Sequence, residues 1–121
     1  MKTIKLESIT IGVVDSQTVF NDVRDVLDMM STFAYFEESS SLGMIVCRQS
    51  LGDKFFDLKS GYAGEVLQKF SNYKIRLAIV GNFGNEKSKS LRDFIRECNR
   101  GSGVFFVDSE QAAIERLATA T

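Results

Sequence analysis

The chain has 121 residues, of which 44% are hydrophobic and 26% are charged, and its formal net charge is -1. This size and balance fit one folded domain spanning residues 1–121 and argue against an intrinsically disordered chain. Nucleic-acid binders usually carry a clear basic excess, so the near-neutral charge argues against a nucleic-acid partner.

The chain contains no histidine. This excludes Ser-His and Cys-His nucleophile pairs, histidine metal sites and the commonest general base. The two cysteines, Cys47 and Cys98, are far apart and lie in apolar surroundings. We expect two buried thiols, no zinc site and no cofactor, and the sequence leaves a disulfide between them open.

Neither a secretion signal nor a membrane span is predicted. Polar residues interrupt the apolar residues at the N-terminus, and no stretch approaches the roughly 18 consecutive apolar residues of a transmembrane helix. We therefore expect a cytoplasmic protein without a membrane partner.

The first part of the chain predicts a hairpin, a long helix and a buried strand. Asp15 and Ser16 are good helix caps, and the apolar residues that follow recur at helical spacing. The predicted elements are strands at 3–6 and 9–14, a helix from about Ser16 to Phe33, a polar loop over 37–43 and a strand at 44–47.

The second part predicts alternating helices and strands. Its elements are an irregular segment over 49–57, a helix opening at Ser60 and Gly61, a strand at 76–80, a turn-rich loop over 81–85, a helix starting at Ser88 or Ser90, a strand at 104–107 and a final helix capped by Asp108. The order β-β-α-β-α-β-α-β-α predicts an α/β fold with a mostly parallel mixed sheet and right-handed crossovers.

The segment from Phe56 to Leu67 places Ser60 and Gly61 at the start of the second helix. It resembles the Asp-Ser-Ser-Gly stretch of STAS domains, and residues 76–117 are similar to the SpoIIAA-like branch of that superfamily. The resemblance implies a single STAS-like domain that binds protein. It also implies that the serine before the glycine can be phosphorylated to switch partner binding.

A closer resemblance covers most of the chain. The runs at 55–61, 63–65 and 89–94 resemble a bacterial family of uncharacterised proteins, DUF4180. That resemblance implies a shared fold and brings no known activity.

Ser60 is the leading candidate for a regulatory residue. A hydroxyl at a helix start lies at the positive end of the helix dipole, where a phosphate is electrostatically favoured. Asp57 is expected to hold the turn around Gly61. If Phe55 and Tyr62 are exposed, they would suit a protein partner or a homodimer. An ordinary N-cap serine is the alternative for Ser60.

Two further functions stay open. The loop from Gly81 to Ser90 follows a strand and leads into a helix, where open α/β sheets bind ligands. Its candidate anion-binding residues are Lys87, Ser88, Lys89 and Ser90. The pattern is neither a Walker A loop nor a dinucleotide fingerprint, so nucleotide binding has little support. The other alternative is a carboxylate-based enzyme centred on Asp57.

A basic stripe on the third predicted helix does not change this assessment. Arginines recur every four residues from Arg92 to Arg100, but Asp93 and Glu97 lie between them, which is typical of a solvated helix face. The sequence therefore favours a non-enzymatic regulatory or protein-binding module. A small-ligand or anion sensor and an enzyme are the alternatives.

Overall fold

The computed structural model describes residues 1–37 and 41–120, which form an α/β fold. In chain order the elements are β1 (Lys2–Lys5), β2 (Thr10–Val13), α1 (Val23–Phe36), β3 (Leu42–Cys47), α2 (Arg48–Leu51), α3 (Asp53–Phe56), a 3-10 turn (Leu58–Ser60), α4 (Tyr62–Tyr73), β4 (Ile75–Val80), α5 (Lys89–Arg100), β5 (Val104–Val107) and α6 (Glu110–Thr119). Part of the predicted 37–43 loop, residues 38–40, lies outside the described residues. None of the described helices has the length and apolarity needed to cross a membrane.

The described strands form one five-stranded mixed sheet in the order β1-β2-β3-β4-β5. β1 runs antiparallel to β2, which confirms the predicted hairpin, and every later pair is parallel. Met44 of β3 pairs with Leu77 of β4, and Leu77 pairs with Val104 of β5. The mostly parallel mixed sheet expected from the element order is confirmed.

Two hydrophobic cores lie on opposite faces of the sheet. Successive residues of β4 alternate between them: Leu77 and Ile79 pack into the core with α1, α4 and α5, whereas Ala78 packs into the core with α6. Because strand neighbours point to opposite faces, both faces of the central strands must be apolar. This explains why β3 and β4 read as continuous apolar runs in the sequence.

The helices that follow β2, β3 and β4 all cover the same face of the sheet. Right-handed crossovers that always step to the next strand place their helices in one layer. After β5 the chain turns to the other face, where α6 packs against β3, β4 and β5. The chain therefore changes faces at the carboxyl ends of β4 and β5.

The predicted start of the first helix at Ser16 is wrong. The carboxylate of Asp15 accepts the N–H of Gln17 at 2.8 Å, which makes a turn, and the N–H of Phe20 donates to the carbonyl of Ser50. The helix begins only at Val23, after Asp22 has capped it by accepting the N–H of Asp25 at 3.1 Å.

Of the two other predicted helix caps, one is confirmed and one is wrong. Ser88 caps α5 by accepting the N–H of Leu91 at 3.2 Å, as one of the two predicted starts required. The predicted cap at Asp108 is wrong, because Ser109 caps α6 and accepts the N–H of Ala112 at 3.1 Å. The segment over 49–57, predicted to be irregular, contains α2 and α3.

The open edge of the sheet at β5 is covered by a side chain of α5. The amide of Asn99 donates to the carbonyl of Phe106 at 3.3 Å and accepts the N–H of Phe106 at 2.8 Å. Arg116 of α6 donates to the carbonyl of Asn99 at 2.8 Å. Asn99 therefore supplies the two backbone hydrogen bonds that a sixth strand would make at Phe106, and Arg116 bonds to the backbone of Asn99 from the other face.

Replacing Asn99 with alanine should lower the free energy of unfolding by roughly 1–3 kcal/mol, because the N–H and C=O of Phe106 both lose their partner. Urea denaturation followed by circular dichroism measures this change. Asn85→Ala, in an exposed loop, is the matched control and should change little. A loss for Asn99→Ala no larger than for Asn85→Ala would contradict the edge-covering role.

Candidate functional site

Ser60 joins two helices through its hydroxyl. The hydroxyl donates to the carbonyl of Lys54 in α3 at 2.9 Å and accepts the N–H of Tyr62, the first residue of α4, at 3.1 Å. The residue is exposed to solvent. The helix predicted to open at Ser60 begins two residues later, and Ser60 ends the short 3-10 turn before it.

Gly61 and Gly64 leave space around the start of α4. Gly61 has a φ of 78°, a conformation that glycine adopts without strain. A Cβ atom added at Gly61 or at Gly64 would meet no heavy atom within 4 Å. The first N–H groups of a helix have no partner within the helix, so the approach to this end of α4 is open.

Asp57 holds the turn through its backbone, whereas its carboxylate was expected to do so. The carbonyl of Asp57 accepts the N–H of Ser60 at 3.0 Å. The carboxylate makes no side-chain cap bond to the turn that it precedes. Lys54 lies close by, with its ammonium 5.1 Å from the centre of the Tyr62 ring.

Phe55 and Tyr62 belong to the core. Their side chains are 0% and 5% exposed, and their rings meet edge-on with centroids 6.5 Å apart. Phe55 and Tyr62 therefore do not form an exposed aromatic surface for a protein partner or a homodimer. Exposed aromatic rings occur instead at the end of α1, where Tyr35 and Phe36 are 82% and 73% exposed and contact each other edge-on.

The loop between β4 and α5 is held in place by two arginines. The guanidinium of Arg48 lies 4.3 Å from the centre of the Phe56 ring and pairs with the carboxylate of Glu86. Arg92 donates to the carbonyls of Glu86 and Lys87, both at 3.0 Å. These contacts tie the loop to α2 on one side and to α5 on the other.

Two of the four candidate anion-binding residues already have partners within α5. Lys89 is paired with Asp93 at 2.7 Å, and Ser88 is occupied as the cap of α5. Lys87 and Ser90 are exposed. The hydrogen bond from Lys89 lowers the pKa of Asp93.

The rest of the arginine stripe on α5 is paired within its own helix. Arg96 contacts Asp93 at 3.4 Å and Arg100 contacts Glu97 at 3.7 Å. This is the solvated, self-neutralised face that the alternating charges predicted.

A cavity of about 750 Å³ lies between the β4–α5 loop and α6, beyond the carboxyl ends of β4 and β5. Its volume is within the range usual for small-molecule sites. The lining residues come from the β4–α5 loop, from the end of β5 with the residue that follows it, and from α6. They are Gly81, Asn82, Phe83, Gly84, Phe106, Val107, Asp108, Ala112, Glu115, Arg116 and Thr119. We refer to it as the switch-point cavity.

Sequence reasoning missed the α6 side of the switch-point cavity. Ala112, Glu115, Arg116 and Thr119 follow the i, i+3, i+4, i+7 spacing of one helix face. The spacing shows that these four residues share one face of a helix. It does not show that this face of α6 lines a cavity.

The carboxylates of the switch-point cavity are not neutralised by a cation. The Asp108 side chain is exposed, and none of the ion pairs within the described residues includes it or Glu115. Glu115 accepts one hydrogen bond from the amide of Gln111 at 3.3 Å. Arg116 also lines the cavity, and its guanidinium donates to the carbonyl of Asn99 and lies 4.2 Å from the centre of the Phe105 ring.

Cys47 lines a smaller cavity of about 380 Å³ at the carboxyl ends of β2 and β3. Burial raises the pKa of this thiol, and the carboxylates of Glu110 and Asp15 raise it further. Burial also raises the pKa of Cys98. Both thiols are free and half-buried. Within residues 1–37 and 41–120 no group of three or more Cys, Asp or Glu side chains is placed to hold a metal ion.

Comparison with known proteins gives one family. The sequence model of a family described as "Domain of unknown function (DUF4180)" matches residues 7–117. No curated protein matches the chain. The match spans the elements from β2 to α6, except for the last two residues of α6, and leaves β1 outside.

Two glycine substitutions should have opposite effects. A Cβ at position 81 would lie 2.9 Å from Cβ of Arg48 and 3.1 Å from the Phe83 ring. We expect Gly81→Ala to cost roughly 1–3 kcal/mol, as overpacked sites do. Gly64→Ala, in open space on α4, should stabilise by up to about 1 kcal/mol. Chemical denaturation of both variants measures this, and the same sign for both would contradict the described loop packing.

The thiols should react slowly with iodoacetamide near neutral pH, because only the thiolate is nucleophilic and both pKa values are raised. The rate should climb as the pH rises past the pKa of an ordinary thiol. In that range stability should also fall, because the folded chain holds its thiol protons more tightly than the unfolded chain does. Urea-unfolded protein is the control, and equal rates for native and unfolded chains would contradict the shift.

Proposed function

The chain belongs to the DUF4180 family, whose description assigns no function, and we propose that it is a regulatory, protein-binding module of the STAS-like type with Ser60 as its switch. In this proposal the module is not an enzyme. A partner protein contacts the exposed surface around the α3–α4 junction, and the chemical state of Ser60 decides whether it binds.

The architecture supports the proposal. The chain order resembles that of STAS domains, and the strands lie side by side in sequence order with three crossover helices on one face. The serine-glycine pair lies after the central strand β3, α2 and α3, and directly precedes α4, as does the corresponding pair in the STAS resemblance. Fold likeness alone assigns no function, so the proposal depends on the chemistry of the serine.

The observation that carries the proposal is the double hydrogen bond of the Ser60 hydroxyl. It is an exposed group that links the carbonyl of Lys54 to the first N–H of α4. A side chain in the core could not be reached by a kinase, and one that bonded nothing could not report its state to a helix. Ser60 meets both conditions.

Phosphorylation would change this junction in a defined way. Transfer of a phosphoryl group from a nucleoside triphosphate forms an O–P bond at Oγ, releases the nucleoside diphosphate and removes the hydroxyl proton. The ester oxygen can no longer donate to the carbonyl of Lys54. The added charge of about -1.5 to -2 lies at the positive end of α4, in the space that Gly61 and Gly64 leave open.

The charges nearest to Ser60 along the chain are of both signs. Lys54 and Lys59 are the nearest cations along the chain, and Asp57 and Glu65 are the nearest anions. A phosphate drawn toward Lys54 would weaken the contact of that ammonium with the Tyr62 ring, which lies 5.1 Å away. The expected result is a shifted α3 and a new anionic surface, both of which a partner would detect.

The alternatives have less structural support. An anion sensor would need Lys87, Ser88 and Lys89 to converge, but Lys89 is paired with Asp93 and Ser88 caps α5. An enzyme centred on Asp57 would need a pocket around that carboxylate. Asp57 is exposed and lines neither the switch-point cavity nor the cavity at Cys47.

Partner capture with matched variants tests the proposal. Protein with wild-type sequence, Ser60→Ala, Ser60→Glu and the control Ser102→Glu is immobilised and exposed to host extract. Ser102 is exposed in the α5–β5 loop, so its variant adds the same charge elsewhere. We expect a protein that binds the wild type and Ser102→Glu equally and whose affinity for Ser60→Glu differs about tenfold or more. Mass spectrometry of protein from its native host should find phosphate on Ser60.

Binding of the same partner to all four proteins with equal affinity would overturn the switch. Absence of any partner for all four would overturn the binding role as well. Hydrogen exchange across residues 53–64 shows whether Ser60→Glu changes the α3–α4 junction or unfolds the whole chain, which separates a switch from simple destabilisation.

A further inference from the structure

We infer that the switch-point cavity binds a small organic cation, an ammonium group carried on an apolar or aromatic body. This site is separate from Ser60 and does not depend on the proposed switch. Its position, its charge and its walls each contribute to the inference.

Among the described residues, the chain changes from one face of the sheet to the other at this position. The loop after β4 leads to α5 on one face, and the loop after β5 leads to α6 on the other. Loops that leave a parallel sheet in opposite directions open a crevice between them, and such crevices are where open α/β sheets bind ligands. The volume of about 750 Å³ accommodates a ring with a short chain.

The lining of the cavity has a net negative charge. Asp108 and Glu115 both line it, both are exposed, and neither takes part in an ion pair within the described part of the chain. Arg116 is the cation of the lining, and its guanidinium is held by the carbonyl of Asn99 and the face of Phe105. Two carboxylates against one guanidinium attract an ammonium ligand and repel an anion.

The walls between the carboxylates suit an apolar body. Phe83, Val107 and Ala112 line the cavity, and Phe83 is fixed edge-on against Phe106 with ring centroids 5.1 Å apart. Gly84 also lines the cavity, and a Cβ atom added there would approach only the amide oxygen of Asn82, at 3.6 Å. A flat hydrocarbon group could therefore lie against the Phe83 side while its ammonium reaches the carboxylates.

The cavity is held open before any ligand arrives. Arg48 pairs with Glu86, and Arg92 donates to the carbonyls of Glu86 and Lys87, so the loop bearing Phe83 is anchored at its far end. Because little ordering is left to occur on binding, a small ligand loses less of its interaction energy to that ordering.

A matched series of probes tests the charge preference. Phenethylamine, 2-phenylethanol and 3-phenylpropanoate share a ring and a short chain but carry a positive, neutral or negative group. Each is titrated into the full chain at low ionic strength and followed by amide NMR shifts. We expect phenethylamine to bind at least about tenfold more tightly than the other two and to shift residues 81–84 and 107–119.

Substitutions locate the site. Asp108→Asn and Glu115→Gln should each weaken phenethylamine binding about tenfold, since each removes one charge-assisted contact. Asp93→Asn, an exposed carboxylate on α5, is the matched control and should bind like the wild type. Ser60→Ala should also bind normally, so failure of this site and failure of the Ser60 switch can be told apart.

Three results would overturn the inference. One is binding of the neutral or anionic probe as tightly as the amine. Another is a pattern of shifts spread over carboxylates outside the cavity, or an equal loss of binding in Asp93→Asn. The third is the absence of saturable amine binding up to millimolar concentration in protein whose circular dichroism is unchanged.

Discussion

The constraint on which the structure depends is that each crossover steps to the next strand along the sheet. With a common handedness, such crossovers can place α1, α4 and α5 only on one face. The other face of β3, β4 and β5 would be left in water unless the chain returned to cover it. α6 does so with Ala113 and Leu117, which are fully buried. The change of face that completes the core also opens the cavity at its turning point.

Two kinds of contact place functional groups on this framework. The α3–α4 junction is held by backbone and hydroxyl hydrogen bonds around Ser60, which a single covalent modification can change. The β4–α5 loop is held by charged contacts of Arg48 and Arg92, which leave its outer surface available. The two places are in contact, because the Phe56 ring of α3 lies against the Phe83 ring of the cavity wall with centroids 5.9 Å apart. Scaffolds of this kind keep variable chemistry on their loops and stability in the sheet.

Local signals predicted the central sheet well and the helix starts less well. The apolar run of β4 and the β-branched hairpin could be recognised without tertiary information, since burial on both faces or in a pair leaves a pattern in the sequence. Asp15 and Asp22 are both good caps followed by apolar residues at helical spacing. The hydrogen bond from the N–H of Phe20 to the carbonyl of Ser50, thirty positions away in the chain, decides between them.

Asp108 and Ser109 are likewise two neighbouring candidates for one helix cap, and only the backbone geometry shows which of them caps α6. The burial of Phe55 and Tyr62, and the place of Glu115 and Arg116 in the cavity wall, likewise depend on how helices pack, which the local sequence does not contain.

The side-chain amide of Asn99 affects how copies of the protein can associate with one another. A parallel sheet with a bare outer strand offers its hydrogen-bonding groups to any extended chain nearby, including another copy of itself. Here the donor and acceptor of Phe106 are already taken by one planar side chain. An extended chain that approached this strand would have to displace the Asn99 amide before it could bond to Phe106. The amide therefore raises the free-energy cost of adding another copy at this point of the edge.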